Sequence, residues 1–279
     1  MIPARPSAGR RRLWPGAALA ASVLLVLALS ACGSDDVFVD EPVETLYNRA
    51  MDEIEDENWV EAAKAFDEVE RQHPYSAWAV KAQLMAAYAH YRADQYDEAI
   101  AAADRFTKLH PGSSESAYAY YLRAISYYEQ IVDVGRDQKT TELALDALSE
   151  LIRRFPDTQY ARDARVKLDV AKDHLAGKEM SVGRYYLQLG NYLAAVNRFR
   201  VVVEKYQSTS HVAEALHRLT ECYLALGVVE EAQTAAAVLG HNYPGSEWYR
   251  DSYALLTGQK LEPKVSERSW LARMWSTVF

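Results

Sequence analysis

The groups with the most chemistry to offer in these 279 residues are two cysteines, seven histidines and several runs of acid. Cys222 stands beside Tyr223 in a helical apolar pattern, where a thiol packs as a small hydrophobe rather than serving as a nucleophile. Cys32 is different, because it closes an apolar run and is placed for covalent modification. The histidines do not assemble: His211 and His217 are six apart, on different helix faces, whereas a metal-binding pair needs i,i+4 spacing. His73 and His110 each precede a proline, a place taken by Phe155 and Tyr243 elsewhere, so packing and not ligation is expected of them. The run Asp52-Glu53-Ile54-Glu55-Asp56-Glu57 lacks the alternating ligands and central glycine of a calcium loop and reads as a solvated helix end. There is no phosphate-cradling Gly-rich loop and no Gly-x-Ser-x-Gly elbow. The expectation is a binding protein with no catalytic residue, no cofactor and no metal.

Arg5, Arg10, Arg11 and Arg12 precede an apolar run from Ala17 to Leu29, and then Leu29-Ser30-Ala31-Cys32-Gly33. A basic head, a short apolar core and small residues before a cut site describe a secretory signal peptide over residues 1–31. The run is short for a bilayer span, which takes about 20 residues; an uncleaved transmembrane anchor is the alternative. Leu-Ser-Ala-Cys resembles the lipobox of bacterial lipoproteins, in which the cysteine is acylated and becomes the mature N-terminus. The resemblance implies several acyl chains on Cys32, enough for stable anchoring where one chain holds only marginally. It also implies transport to the outer membrane, because Gly33 stands where an inner-membrane retention signal carries aspartate. Loss of the signal peptide removes four arginines and no acids, moving the net charge from −8 to −12. So acidic a surface repels nucleic acid. Residues 32–42, acidic and with little to bury, read as a flexible tether.

The elements that follow keep one beat. Pro74, Pro111, Pro156 and Pro244 each follow an aromatic residue, and Tyr206-Gln207 is a fifth copy without the proline. Fifteen residues before these ends lie Trp59, Tyr96, Thr141, Tyr192 and Val229. Three further on come Ala62, Ala99, Ala144, Ala195 and Ala232, and seven beyond those Val69, Phe106, Leu151, Val202 and Leu239. Ala50, Ala87, Ala124, Gly183 and Thr220 supply a second small position, which lets paired helices approach closely. Spacings of three, four and seven make one apolar stripe per helix, and Ser76, Ser113, Thr158, Thr209 and Ser246 are the expected N-caps.

The pattern, with Asp94-Gln95-Tyr96-Asp97-Glu98-Ala99-Ile100 as its core, resembles the tetratricopeptide repeat. It implies an all-α solenoid of about five helix pairs, with repeats 1–3 over residues 43–156, and repeats 4–5 and a partial sixth helix over residues 157–257. Stacked repeats share a continuous core and present grooves and edges to partners. Two insertions break the beat. A polar one of eight residues around Gly135 to Thr140 is expected to be a loop. Another of fourteen between Pro156 and Gly183 is expected to lengthen a helix by about four turns, with Gly177 as a place for a kink or break.

Narrower than the repeat is the stretch His174-Leu175-Ala176, Glu179, Val182, Tyr185-Tyr186, Ala194-Ala195-Val196-Asn197-Arg198-Phe199 and Tyr206. It resembles the conserved segment of the BamD (ComL) family, lipoproteins of the outer-membrane β-barrel assembly machine. The resemblance implies binding to the POTRA domains of BamA through the C-terminal repeats, company with other Bam lipoproteins, and handling of unfolded outer-membrane β-barrel proteins by the N-terminal repeats. It marks Arg198, Asn197 and Tyr185 as partner-binding residues, and Cys32 as the lipidated residue on the periplasmic face of the outer membrane. A periplasmic repeat protein scaffolding cell-wall or division enzymes is the alternative, which Cys32 disfavours. The tail, residues 258–279, departs from the family pattern. Trp270, Leu271, Met274, Trp275 and Val278 share one helical face, either a packed cap or an amphipathic helix for a partner or membrane surface.

Overall fold

The computed structural model describes residues 41–275. Cys32, the signal-like segment 1–31, nearly all of the tether and Val278 lie outside the described residues. Among the described residues there are twelve helices and no strand. They run as five antiparallel pairs: α1 (Val43–Glu55) with α2 (Trp59–Gln72), α3 (Ala77–Arg92) with α4 (Tyr96–Leu109), α5 (Ser116–Glu129) with α6 (Lys139–Arg154), α7 (Gln159–Gln188) with α8 (Tyr192–Lys205), and α9 (Val212–Ala225) with α10 (Val229–Asn242). Helix α11 (Glu247–Gly258) opens a sixth repeat, and a short α12 (Trp270–Trp275) follows. Helices α1 to α10 pack chiefly on their neighbours in sequence, as in a tetratricopeptide-like solenoid, whereas α11 rests on α9 as well as α10 and α12 rests on α10.

The expected register is the observed one. Ala62, Ala99, Ala144, Ala195 and Ala232 are fully buried, as are Ala50, Ala87, Ala124 and Thr220. Gly183 shows why that position must be small: a Cβ there would lie 2.4 Å from the Phe199 ring on the partner helix. Second helices end alike, with the backbone N–H of His73, His110, Phe155, Tyr206 and Tyr243 donating to the carbonyls of Val69, Phe106, Leu151, Val202 and Leu239. Tyr206 does this without a following proline, so the aromatic C-cap and not the imino ring sets the geometry.

Five of the six first helices, all but α5, end in a device the periodicity did not reveal. Glu57, Asp94, Gly190, Gly227 and Lys260 all have positive φ, between 57° and 73°. The residue after each, from Asn58 to Leu261, donates its N–H to the carbonyl five residues back. This is the Schellman closure, which needs a left-handed residue and prefers glycine. Only two of the five copies use glycine, so composition hid it. Three of the expected N-caps stand: the hydroxyls of Ser76, Thr158 and Ser246 accept from the N–H of Ala79, Ala161 and Tyr249. Two do not. Ser113 and Thr209 lie in turns two residues longer, so α5 and α9 start later; Ser113 accepts from Glu115 N–H and Thr209 donates to the Tyr206 carbonyl.

The two insertions meet each other. The inserted loop between α5 and α6 lies on the extra turns of α7, where Lys178 donates to the carbonyls of Gly135 and Arg136. Helix α7 runs unbroken through Gly177, so the expected break does not occur there. A Cβ on Gly177 would stand 3.4 Å from His211 and 3.5 Å from Val134, which makes this glycine a contact surface for both neighbours. One turn earlier Asp173 accepts from the backbone N–H and hydroxyl of Ser210.

Candidate partner-binding surface

Helices α7 and α8 carry all three residues that the sequence singled out for partner binding. Phe199 faces the core and is fully buried, so Asn197 and Arg198, two and one positions earlier, turn outward and are exposed. Arg198 does not project alone. Its Nη1 donates to Glu179 Oε2 on α7 at 3.2 Å, with the arginine side chain 44 % exposed. Exposed pairs of this kind contribute about 0–1 kcal/mol, so the arginine is held in place without being consumed. Tyr185 is 59 % exposed, its ring 5.8 Å from that of the half-buried Tyr186.

The structure adds residues that sequence reasoning missed. Leu189 and Leu193, both 64 % exposed, flank the α7–α8 turn, and Leu226 and Val228 are exposed at the α9–α10 turn. Comparison in register would have found them: the place of Leu189 and Leu226 is taken by Asp56 and Ala93 in repeats 1 and 2, that of Val228 by Asn58 and Gln95, and that of Leu193 by Val60 and Asp97. At the first of these places repeats 4 and 5 carry leucine where repeats 1 and 2 carry aspartate and alanine. Tyr185 and Leu189 are four apart at the end of α7, and Leu193 and Asn197 four apart at the start of α8, so each pair shares a helix face. An apolar group with a polar rim is the composition of an interface.

Behind this edge α7 is tied to α9. Arg184 grips Glu214 with two hydrogen bonds, at 2.8 and 2.5 Å, and Glu214 also meets Arg218. Burial pushes the Glu214 carboxyl up, but the Arg184 hydrogen bonds and charge outweigh it, so its pKa lies below the ordinary value. Glu214 is the buried member and Arg184 the half-exposed one, so it is loss of the arginine that would strand a buried carboxylate.

The N-terminal half carries a second candidate surface, an aromatic one. Tyr118 and Tyr121 on α5 lie 5.3 and 5.1 Å from Tyr160 on α7, and the Tyr121 hydroxyl donates to Asp163, which Lys167 also contacts. In the first two repeats Arg92 stacks 4.0 Å over Trp59 and donates to the Tyr88 hydroxyl. Most tyrosines here are half-buried. No cluster of three or more potential metal ligands occurs among the described residues, and no helix there is long and apolar enough to cross a membrane. Cys222 is buried and free, its thiol pushed up to about 12 by burial.

Comparison with known proteins agrees with this architecture. Residues 39–239 match the family described as YfiO, outer membrane lipoprotein. The outer membrane protein assembly factor BamD of Caulobacter vibrioides is 51 % identical over 250 residues, covering 88 % of this chain and 82 % of that one. The factor of the same name from Rickettsia prowazekii is 43 % identical, covering 85 % and 96 %. That of Neisseria meningitidis serogroup A is 38 % identical, covering 81 % and 91 %. With the lipobox-like cysteine, the five repeats in register and these relatives over most of its length, the chain belongs to the BamD (YfiO) family of outer membrane lipoproteins.

Proposed function

We propose that this chain is a lipid-anchored scaffold of outer-membrane protein assembly, held to the periplasmic face of the outer membrane by acyl chains on Cys32. It works without catalysis, by bringing a barrel-forming partner and unfolded barrel substrates together beside other lipoproteins of the same machine. Repeats 4 and 5, within residues 157–257, take the POTRA domains of BamA along the α7–α8 edge. Repeats 1–3, residues 43–156, receive unfolded outer-membrane proteins, a role suited to the tyrosines on α3 and α5. The observation that carries the BamA assignment is the exposed apolar group Tyr185, Leu189 and Leu193 beside Asn197 and an arginine held by Glu179. An anchored guanidinium loses little freedom on binding and offers a planar fork to a partner carboxylate.

The test compares three variants for stability and for affinity to the BamA POTRA region. Arg198→Ala loses the partner contact, which costs about 2–5 kcal/mol once a partner desolvates it, while the melting temperature barely moves. Leu189→Asp weakens binding through the apolar group. Glu179→Gln removes the internal pair and leaves Arg198 free to bind, so affinity falls less. Equal losses for Arg198→Ala and Glu179→Gln, tracking a loss of stability, would reduce Arg198 to an internal strut.

A further inference from the structure

The tail folds back on the solenoid in a way no sixth repeat would. After the left-handed turn at Lys260, which closes α11, the chain crosses α10, and its backbone is read by α10 side chains. Gln233 donates to the Glu262 carbonyl and Thr234 accepts from Ser266 N–H. Glu231 then collects the start of α12: one oxygen accepts from the Ser269 hydroxyl and the other from Trp270 N–H. Trp270 lies under Arg200 of α8, with the guanidinium 4.2 Å above its ring, and its indole N–H donates to the Tyr223 hydroxyl of α9 at 2.9 Å. Gln207, the residue that replaces the repeat proline, meets the Met274 sulfur at 3.8 Å. Leu271 is the one α12 side chain buried in full, whereas α10 buries six.

These features describe a bound peptide more closely than a core element. Isolated helices shorter than about 12 residues are marginal in water, and the described part of α12 rests on the surface beneath it. Leu271 enters the apolar cluster of α8, α9 and α10 with Leu261, Trp270, Met274 and Trp275 packed at its edge, and side-chain hydrogen bonds and an arginine–tryptophan stack surround them, the anatomy of a recognition interface. We propose that the face formed by α8, α9 and α10 is a docking groove for a short amphipathic helix of the type Ser-Trp-Leu-x-x-Met, and that residues 262–275 fill it in cis as a detachable latch. Arg200, Gln207, Tyr223 and Glu231 are its recognition residues. A partner helix of the same chemistry gains access to this groove only by displacing the tail.

The test keeps the chain complete. A site-specific protease sequence is inserted after Gln259, the protein is cut, and retention of the tail on the body is followed by gel filtration. The cut tail stays bound, exchanges with an excess of synthetic peptide of residues 259–279, and leaves a body whose helicity and melting temperature change little. Trp270→Ala in the tail, or Arg200→Ala in the body, weakens retention about tenfold through loss of the stack and the indole hydrogen bond. A body that unfolds when the tail leaves would make the tail part of the core and overturn the proposal. So would a tail that the peptide never displaces, or a Trp270→Ala tail retained as well as the original. A cut protein that runs as a dimer through exchanged tails would overturn the occupation in cis.

Discussion

Lys178 of α7 donates to the Gly135 carbonyl at 3.2 Å, joining the two stretches that interrupt the repeat beat. The inserted loop of repeat 3 and the extra turns of repeat 4 are therefore one structural unit, with Gly177 at its centre. A methyl group there meets only the far end of the His211 ring and one Val134 methyl, at ordinary to slightly tight distances. Gly177→Ala gains about 1 kcal/mol of helix propensity and is expected to leave the melting temperature equal or higher. Gly177→Leu pushes the loop and His211 away and lowers it. Thermal melts of the two variants check this; a leucine variant as stable as the parent would mean that the loop does not depend on α7.

Gly183 gives the opposite sign for the same substitution. Helix propensity alone favours Gly183→Ala by about 1 kcal/mol. The added Cβ would lie 2.4 Å from the fully buried Phe199, which has no space to retreat. Overpacking of this kind costs about 1–3 kcal/mol, so the variant is expected to be less stable. Denaturant titration decides, and Phe199→Leu in the same chain should restore part of the loss.

His217 is expected to make stability depend on acid. It is buried, with Nδ1 2.9 Å from the Ser252 hydroxyl and the ring 5.3 Å from Trp248, and Glu221, Glu214, Asp251 and Arg218 act on it from α9 and α11. Burial lowers its pKa below 6.5 against the pull of the acids. The unfolded chain then takes up the proton first, so stability is intact above the ordinary histidine value and falls as pH drops through it toward the folded value. His90 works the other way: the Asp67 carboxylate 3.9 Å from its Nε2, with the Gln95 amide oxygen on Nδ1, raises its pKa, and the stability it contributes fades as pH rises through the folded value. Stability measured between about pH 7 and 5 should therefore fall less steeply for His217→Gln than for the parent. Parallel curves would remove His217 from the account.

Cys32→Ser is expected to leave the helical fold intact and to release the protein from membranes. The solenoid from Val43 onward buries its own core, whereas the proposed membrane affinity lies in the acyl chains, where one chain is marginal and two or more are stable. Fractionation with a high-salt wash checks it. A variant that stays with the membrane pellet would put the anchor elsewhere.

Much of this protein was legible in its residues. A repeat is a local rule copied along the chain, so spacing alone located the alanines at helix crossings, the apolar stripes and the aromatic ends of the second helices. A lipobox-like cysteine and the Asn197-Arg198-Phe199 segment pointed to the family for the same reason, being short patterns that need no folding to be read. What the residues did not disclose depends on contacts distant in sequence. Glu57, Asp94 and Lys260 carry no mark of the left-handed turns they make, because a Schellman closure is a backbone conformation that several residue types tolerate at some cost. The pairing of Arg198 with Glu179, 19 residues apart, was open in the sequence and is decided by how α8 lies against α7. The docking of the two insertions and the passage of the tail across α10 join residues that share no period. Only packing, which brings Met274 to Gln207 and Trp270 to Tyr223, could decide them.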